Sequence, residues 1–386
     1  MRSWAGRHRF DDQVVRVQGA FRERTGGEPE GVWAAPGRVN LIGDHTDHND
    51  GFVLPLAIDR QVVVAVARRQ DAQIRAWSLQ EPAPVELGLE TIGRGEPDGW
   101  TGYVAGVAWA LGQEGVAIGG FDLLLDGSVR PGAGLASSAA VECATALALA
   151  DLYDAGLSRQ ALARAARRAE VEIVGVPCGV MDQMAAMCCR EGSALFLDTR
   201  SLEMEHLPLR LDDLTLKVID VGMPHRLVEG SYALRRGDCE AAARELGIAA
   251  LRDATEADVE RLVDETIGRR VRHVVTENRR VLEVASLLRR DATAEIGPML
   301  TASHASLRDD FDVSTPELDA AVAACLRGGA LGARMTGAGF GGCAIALVPS
   351  DAASEVDRRV SRLPSAGGGP PRSFAVTPAR GATRVA

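Results

Sequence analysis

The segment V-R-P-G-A-G-L-A-S-S-A-A-V-E, residues 129–142, decides how the rest of this chain is read. Upstream of it, F-D-L-L-L at 121–125 has the apolar run of a strand. Downstream, an alanine-rich stretch reads as a helix to about Ala150. The turn between them is built on Asp126, Gly127 and Pro131, with Gly132 and Gly134 bracketing Ala133, and Ser137 and Ser138 head the helix. Strand, glycine turn and helix start together point several backbone N–H groups at one anion. The pattern contains neither G-K-[ST] nor G-x-G-x-x-G, so neither the P-loop nor the dinucleotide fold accounts for it. Two readings stand at this point: a phosphate cradle, or an ordinary glycine-rich helix start whose serines cap.

The bulk properties narrow the class. A length of 386 residues fits two domains. Hydrophobic residues make up 46% but aromatics only 4%, so the cores must be built mainly from Ala, Val and Leu. With 43 basic against 53 acidic side chains the net charge is −10, which argues against a general nucleic-acid surface but allows a local basic pocket for a small polyanion. The seven cysteines are odd in number and form no C-x-x-C, so neither a disulfide framework nor a zinc knuckle is indicated, and a cytoplasmic protein is expected. The first ten residues lack the apolar core of a signal peptide. The most apolar stretch, 135–152, contains Glu142 and Asp151 and reads as a buried helix, so no membrane span is expected.

Working outward, residues 11–25 form an amphipathic pattern with Val14, Val17 and Phe21 on one face, and 32–35 a short strand. The block P-G-R-V-N-L-I-G-D-H-T-D-H-N-D-G-F-V-L-P, 36–55, sets Arg38, Asn40, Asp44, His45, Asp47, His48, Asn49 and Asp50 among apolar residues and glycines. Its two histidines invite a transition-metal reading, but no H-E-x-x-H accompanies them. An Asx-rich turn explains Asp50-Gly51 but not the whole cluster. Mixed carboxylate, imidazole and amide groups suit a hydroxyl-rich ligand better, because each hydroxyl both donates and accepts. Strands are expected at 61–68 and 73–77, and helices at 99–111 and 157–176, the latter with Ser158 as cap and Glu170 bordering its apolar face. Glu170 there is either a magnesium ligand or a solvated neighbour of Glu172. A Pro/Gly turn then leads into an apolar helix carrying Asp182 among Val180, Met181, Met184 and Met187, an acid that needs a basic partner.

From about 216 the pattern resets. L-K-V-I-D-V at 216–221, a partly helical 224–246, charged helices over 256–291 and a helix at 316–326 with Thr315 as cap and Pro316 at its first position follow in turn. A second glycine-dense segment, 337–342, leads into a strand, 365–372 reads as a flexible connection, and a last strand occupies 373–377. Strands interleaved with helices suggest an α+β unit with helices on one sheet face.

Three separated blocks carry a family resemblance. Residues 36–55 resemble the galactokinase signature. P-G-A-G-L-A-S-S-A at 131–139 and M-T-G-A-G-F-G-G-C-A at 335–344 resemble the phosphate loop and third motif of the superfamily of galactokinase, homoserine kinase, mevalonate kinase and phosphomevalonate kinase. E-x-x-x-x-G-V-P-C-G-V-M-D-Q (170–183), S-Y-A-L-R-R (231–236) and W-T-G-Y-V-A-G-V (100–107) fit the same family, in its order. The resemblance implies an α+β two-domain small-molecule kinase: a ribosomal-protein-S5-like domain over 1–208 and a ferredoxin-like one over 209–386, with the active site between them. It implies Arg38 and Asp182 as the catalytic pair, and Asp44, His45, Asp47, Gly179, Asp182 and Tyr232 around the sugar. Gly132, Ala133, Gly134, Leu135, Ala136, Ser137 and Ser138 would hold the ATP phosphates, with Trp100 near the adenine and Ser138 and Glu170 serving Mg²⁺.

The chain departs from the family at Asp44, where a Glu contacting the sugar's terminal hydroxymethyl is usual; the shorter side chain moves the carboxylate by about 1.5 Å. It also departs at His48 for Tyr, at Arg130 for Pro, and at Ala136 for the first of three serines. The expected activity is ATP-dependent 1-phosphorylation of D-galactose by a monomer, with a dimer left open. Asp44 keeps arabinose or N-acetylgalactosamine as rival acceptors. A non-catalytic sugar and ATP sensor is a further alternative, against which the retention of both Arg38 and Asp182 weighs, and a metal hydrolase is the weakest.

Overall fold

A computed structural model describes residues 10–81, 83–223, 228–365, 367 and 369–386. Three sequence expectations therefore fall partly outside the described residues: the one drawn from residues 1–9, the opening of the 224–246 segment at 224–227, and positions 366 and 368 of the connection.

The first sheet has six strands in the order Thr383–Arg384, Gly31–Asn40, Pro55–Arg68, Phe121–Gly127, Gln73–Ser78, Val85–Gly88. All neighbours are antiparallel except Gln73–Ser78 with Phe121–Gly127. That parallel pair requires a long crossover, and the helix Trp100–Gln113 lies within it. The strand expected at 32–35 runs on to Asn40 with every residue buried. A register shift between Pro36 and Arg38 lets it continue past the proline, because a bulge absorbs the missing ladder N–H. The helix Phe10–Thr25 packs Val17 and Phe21 against Val32, Ala34, Val63, Ala65 and Leu124 on one face of this sheet. The helices Trp100–Gln113 and Ser137–Leu152 join the main core, where small alanines allow them to lie close together. Asp151, one of the two acids in that apolar helix, accepts a hydrogen bond from Trp33 Nε1 at 2.7 Å.

The continuous helix expected over 157–176 is not what forms. The α-helix Arg159–Arg168, capped by Ser158 through Ala161 N–H at 3.2 Å, passes into a π-helical stretch Ala169–Val174 that Gly175 ends at φ 84°. A π turn holds one more residue than an α turn, and here it closes through a bond from Gly175 N–H to Glu170 O at 2.9 Å.

The second half carries a four-stranded antiparallel sheet in the order Gly332–Thr336, Cys343–Pro349, Leu214–Asp220, Arg372–Val376. Alternate residues of one strand enter different cores: Cys343, Ile345 and Leu347 belong to the main core, and Ala344, Ala346 and Val348 to a second. Both faces are therefore covered, which is why that strand reads as an unbroken apolar run. The helices Gly297–Asp309, Pro316–Arg327 and Ala353–Val360 pack on this sheet, and the first and last were not anticipated from the sequence. The long helix Glu265–Arg289 spans both cores, with Val271 and Val274 in the second and Val281, Val284 and Leu288 in the first. A short three-stranded sheet, Phe52–Val53, Ser193–Asp198 and Met204–Pro208, lies against it. The tail adds its strand Thr383–Arg384 to the first sheet. The result is an α+β architecture with two main cores, and among the described residues no helix is long and apolar enough to cross a membrane.

Candidate active site

A cavity of about 480 Å³ opens between the 36–55 block, the 129–142 loop, the turn before Asp182 and the third glycine segment. At its inner wall Arg38, 4% exposed, makes a two-point contact with Asp182: Nε to Oδ1 at 2.8 Å and Nη2 to Oδ2 at 2.7 Å. Its third nitrogen, Nη1, donates to the Gly134 carbonyl at 2.6 Å. The bulge at 36–38 aims the arginine, and the backbone N–H of Arg38 is held by Leu135 O at 3.0 Å. The basic partner that Asp182 required in its apolar setting is therefore Arg38, a planar fork matched to a carboxylate.

The loop takes an unusual path. Gly132 and Gly134 have φ of 72° and 74°, and Ala136 lies at 57°, as the residue preceding the helix Ser137–Leu152. No side chain caps this helix, so the serines are not caps, and the N–H groups of its first turn stand at the cavity wall beside Ser137 and Ser138. The third glycine segment lies against the loop: a Cβ on Gly337 would sit 2.9 Å from Gly134 O, and the residue's φ of 83° also favours glycine. Arg130, at the motif's edge, ties the loop to the second sheet through Asp220 Oδ2 at 2.5 Å.

Glu170 is buried while Glu172 is exposed, and the former continues the buried row of Leu162 and Ala166 at four-residue spacing. Its carboxylate accepts from the Ser138 hydroxyl, from Cys178 Sγ at 3.4 Å and from Gln183 Nε2 at 2.6 Å. Burial, reinforced by Asp182, pushes the Glu170 carboxyl up to about 7. The same Gln183 Nε2 donates to Glu142 Oε2 at 3.0 Å, and burial raises the Glu142 carboxyl well above its usual range. Hydroxyl and carboxylate oxygens beside a phosphate-shaped loop suit a hard cation such as Mg²⁺, which keeps most of its ligands from water and phosphate. Among the described residues no group of three or more His, Cys, Asp or Glu is arranged to hold a metal, and His45 and His48 form no such site.

On the opposite side stands the hydroxyl-matching cluster. Asp47 lies over Gly179 so closely that a Cβ there would fall 1.7 Å from its Oδ2. Burial first, then Asp182 and Asp44, raises the Asp47 carboxyl to about 6. His45, held at φ 67°, bonds through Nε2 to Ala338 O at 3.1 Å. Burial keeps its pKa well below the usual value, so the ring is neutral and Nδ1, which has no partner among the described residues, is an acceptor. Tyr232, with its ring 5.7 Å from that of His45, has its hydroxyl pKa pushed well up by burial and by Asp47. His48 stands edge-on to Tyr232 at 5.6 Å, outside the cavity lining, and burial lowers its pKa to about 3.

Asp44 lines the cavity but is otherwise engaged. It is 1% exposed, ion-paired with Arg334, and its Oδ1 accepts from Gly337 N–H at 3.0 Å. Arg334, wholly buried, also donates to Leu41 O at 3.1 Å. Trp100 lines the same cavity, as do Tyr103, Val62, Leu125, Val129, Ser78 and Gln80. The structure thus brings every expected site residue to one cavity, although Ala133 and Leu135 lie in the loop without lining it. Sequence reasoning missed Arg334, Gln183 and Glu142. A charge in the strand G-A-R-M-T, and polar residues inside two apolar helices, were the available signals.

The galactokinase galactose-binding signature matches residues 19–68, the GHMP kinases N terminal domain 102–190, and the GHMP kinases C terminal model 284–365. A galactokinase of Streptomyces coelicolor is 50% identical over 95% of this chain and 97% of its own length, and one of Streptomyces lividans 47% identical over 93% and 92%. The crystal structure of Lactococcus lactis galactokinase complexed with galactose superposes with a TM-score of 0.92 at 31% identity, covering 97% of this chain and all of that one. A Methanococcus jannaschii mevalonate kinase shares the fold, with a TM-score of 0.63 at 18% identity over 91% and 98% of the two chains. By sequence along nearly its whole length and by its α+β two-domain fold, the chain is a kinase belonging to the galactokinase family of the GHMP superfamily.

Proposed function

We propose that this enzyme transfers the γ-phosphoryl group of ATP to the anomeric hydroxyl of D-galactose, giving galactose 1-phosphate and ADP. The observation that carries this reading is the Arg38 guanidinium, which holds both the Asp182 carboxylate and the phosphate-loop carbonyl of Gly134. One rigid cation thereby fixes the acceptor side relative to the donor side, which is what phosphoryl transfer chiefly demands. Asp182 accepts the hydrogen bond of the anomeric hydroxyl and takes its proton as the oxygen bonds to phosphorus and the bond to the ADP oxygen breaks. Its pairing with Arg38 favours orientation of the nucleophile over strong base catalysis. The N–H groups of residues 132–138 hold the phosphates where other kinases use a lysine. Ser138 and Glu170 would hold Mg²⁺, which would neutralise phosphate charge when bound. Asp44, His45, Asp47, Gly179 and Tyr232 enclose the sugar, and Trp100 borders the adenine.

The engagement of Asp44 by Arg334 and Gly337 favours a second reading, a 1-kinase of a related sugar such as arabinose or N-acetylgalactosamine. The test is a panel of galactose, arabinose, N-acetylgalactosamine, glucose and mannose with Mg-ATP, following ADP release. Turnover of galactose is expected. Silence on galactose with activity on another sugar replaces the first reading by the second, and silence on all of them supports a sensor.

The same reading divides the chain at 208/209 into an S5-like and a ferredoxin-like domain, with the tail strand returning to the first. A monomer in a reducing cytoplasm suits the free cysteines.

A further inference from the structure

Glu142 and Gln183 are both wholly buried beside the site, and the roles assigned above use neither. Glu142 lies one helical turn beyond Ser138, and Gln183 directly follows Asp182. The two hydrogens of Gln183 Nε2 go to Glu142 Oε2 at 3.0 Å and to Glu170 Oε2 at 2.6 Å. One amide therefore joins three elements: the phosphate-loop helix, the π turn and the helix that carries Asp182. The arrangement is costly, since Glu142 Oε1 and Gln183 Oε1 are both buried without a partner among the described residues, and apolar residues would pack there more cheaply. An amide offers something that neither an apolar residue nor a cation does. It fixes the direction of a carboxylate by hydrogen bonding and leaves its charge intact, whereas Lys or Arg at 183 would neutralise Glu170 and compete with a metal ion.

We propose that Gln183, buttressed by Glu142, is a positioning residue that sets the Glu170 carboxylate toward Ser138, so that a divalent cation on the nucleotide meets two oxygen ligands already in place. This rests on the reading of Ser138 and Glu170 as the magnesium residues. Because Gln183 and Asp182 share the helix Met181–Cys188, one rigid element then aligns both the acceptor carboxylate and the metal ligand.

The test is calorimetric binding of a non-hydrolysable ATP analogue, with and without Mg²⁺, to the intact enzyme and to Gln183→Met, which keeps the side chain's length. Groups that orient a metal ligand typically contribute roughly 10- to 100-fold to metal affinity. The ratio of metal-free to Mg²⁺-loaded dissociation constants is accordingly expected to fall at least tenfold in the variant, with metal-free affinity and the sugar KM within about twofold of wild type. An unchanged ratio, or equal weakening of both nucleotide forms, overturns the proposal and leaves Gln183 a packing residue. If Gln183→Met does not fold, Glu142→Leu, which removes the buttress, reads the same ratio; a fall of about threefold or more supports the proposal and no change overturns it. A wild-type enzyme that binds the analogue equally with and without Mg²⁺ overturns the magnesium assignment, and this inference with it.

Discussion

Asp47→Asn sets ligand binding against stability, and the structure gives its sign. The Asp47 carboxyl is raised from 3.8 to about 6, by burial first and then by Asp182 and Asp44. An acid whose folded pKa is raised contributes stability that is complete below its unfolded pKa, near 4, and is lost as pH rises through about 6. A shift of roughly two units corresponds to about 3 kcal/mol, which is an upper bound for a side chain that water still reaches. Asparagine keeps the size, cannot ionise, and can still accept from the His48 backbone N–H that Asp47 uses. Thermal unfolding of both proteins without sugar, from pH 4.5 to 8, is therefore expected to show the variant melting a few degrees higher at pH 7.5, the gap closing toward pH 4.5. The buried histidines 45, 48 and 273 titrate in both proteins and cancel in the difference. Galactose should raise the melting temperature of the wild type and leave that of the variant nearly unmoved. A variant less stable at pH 7.5, or a gap that does not change with pH, refutes the reasoning.

Three further outcomes are expected. Asp182→Asn keeps nucleotide affinity within about twofold while turnover falls roughly 100- to 10,000-fold, and near-normal steady-state rates would remove Asp182 from its role. Gly179→Ala places a methyl 1.7 Å from Asp47 Oδ2, so the sugar KM should rise tenfold or more with the ATP KM unchanged; equal effects on both substrates argue against a local displacement. Arg334→Leu strands Asp44 as an unpaired buried carboxylate and should cost about 3–5 kcal/mol in urea unfolding, with the double variant Asp44→Asn/Arg334→Leu recovering part of it. A double variant no more stable than the single one would break the proposed coupling.

Much of the site was legible because local chemistry writes itself into local spacing. The glycine turn, the serines at the helix head, the polar block at 36–55 and the acid in an apolar helix all announce themselves within a dozen residues. An acid among Val180, Met181, Met184 and Met187 demands a basic partner on composition alone. Glu170 is half legible: periodicity puts it on the apolar face in register with Leu162 and Ala166, but only the fold supplies the partners, Ser138, Cys178 and Gln183, that keep a carboxylate there. A proline lacks a ladder N–H, so the sequence points to a strand ending at Ala35, and it is the bulge between Pro36 and Arg38 that lets the strand continue.

By itself, the sequence determined the residue types and their order: a phosphate-type loop, an acceptor-side carboxylate, a hydroxyl-matching cluster, and a resemblance that joined them into one kinase family. Tertiary structure alone decided the pairings. Arg38 and Asp182 are 144 positions apart and meet as a two-point fork, while Asp44, read from sequence as a sugar contact, is held by Arg334, 290 positions away. Gln183 gained its meaning only when three elements converged on its amide. The physical reason is that a buried charge or amide takes the partner that the fold brings within about 3 Å, and neither spacing nor composition along the chain encodes that distance.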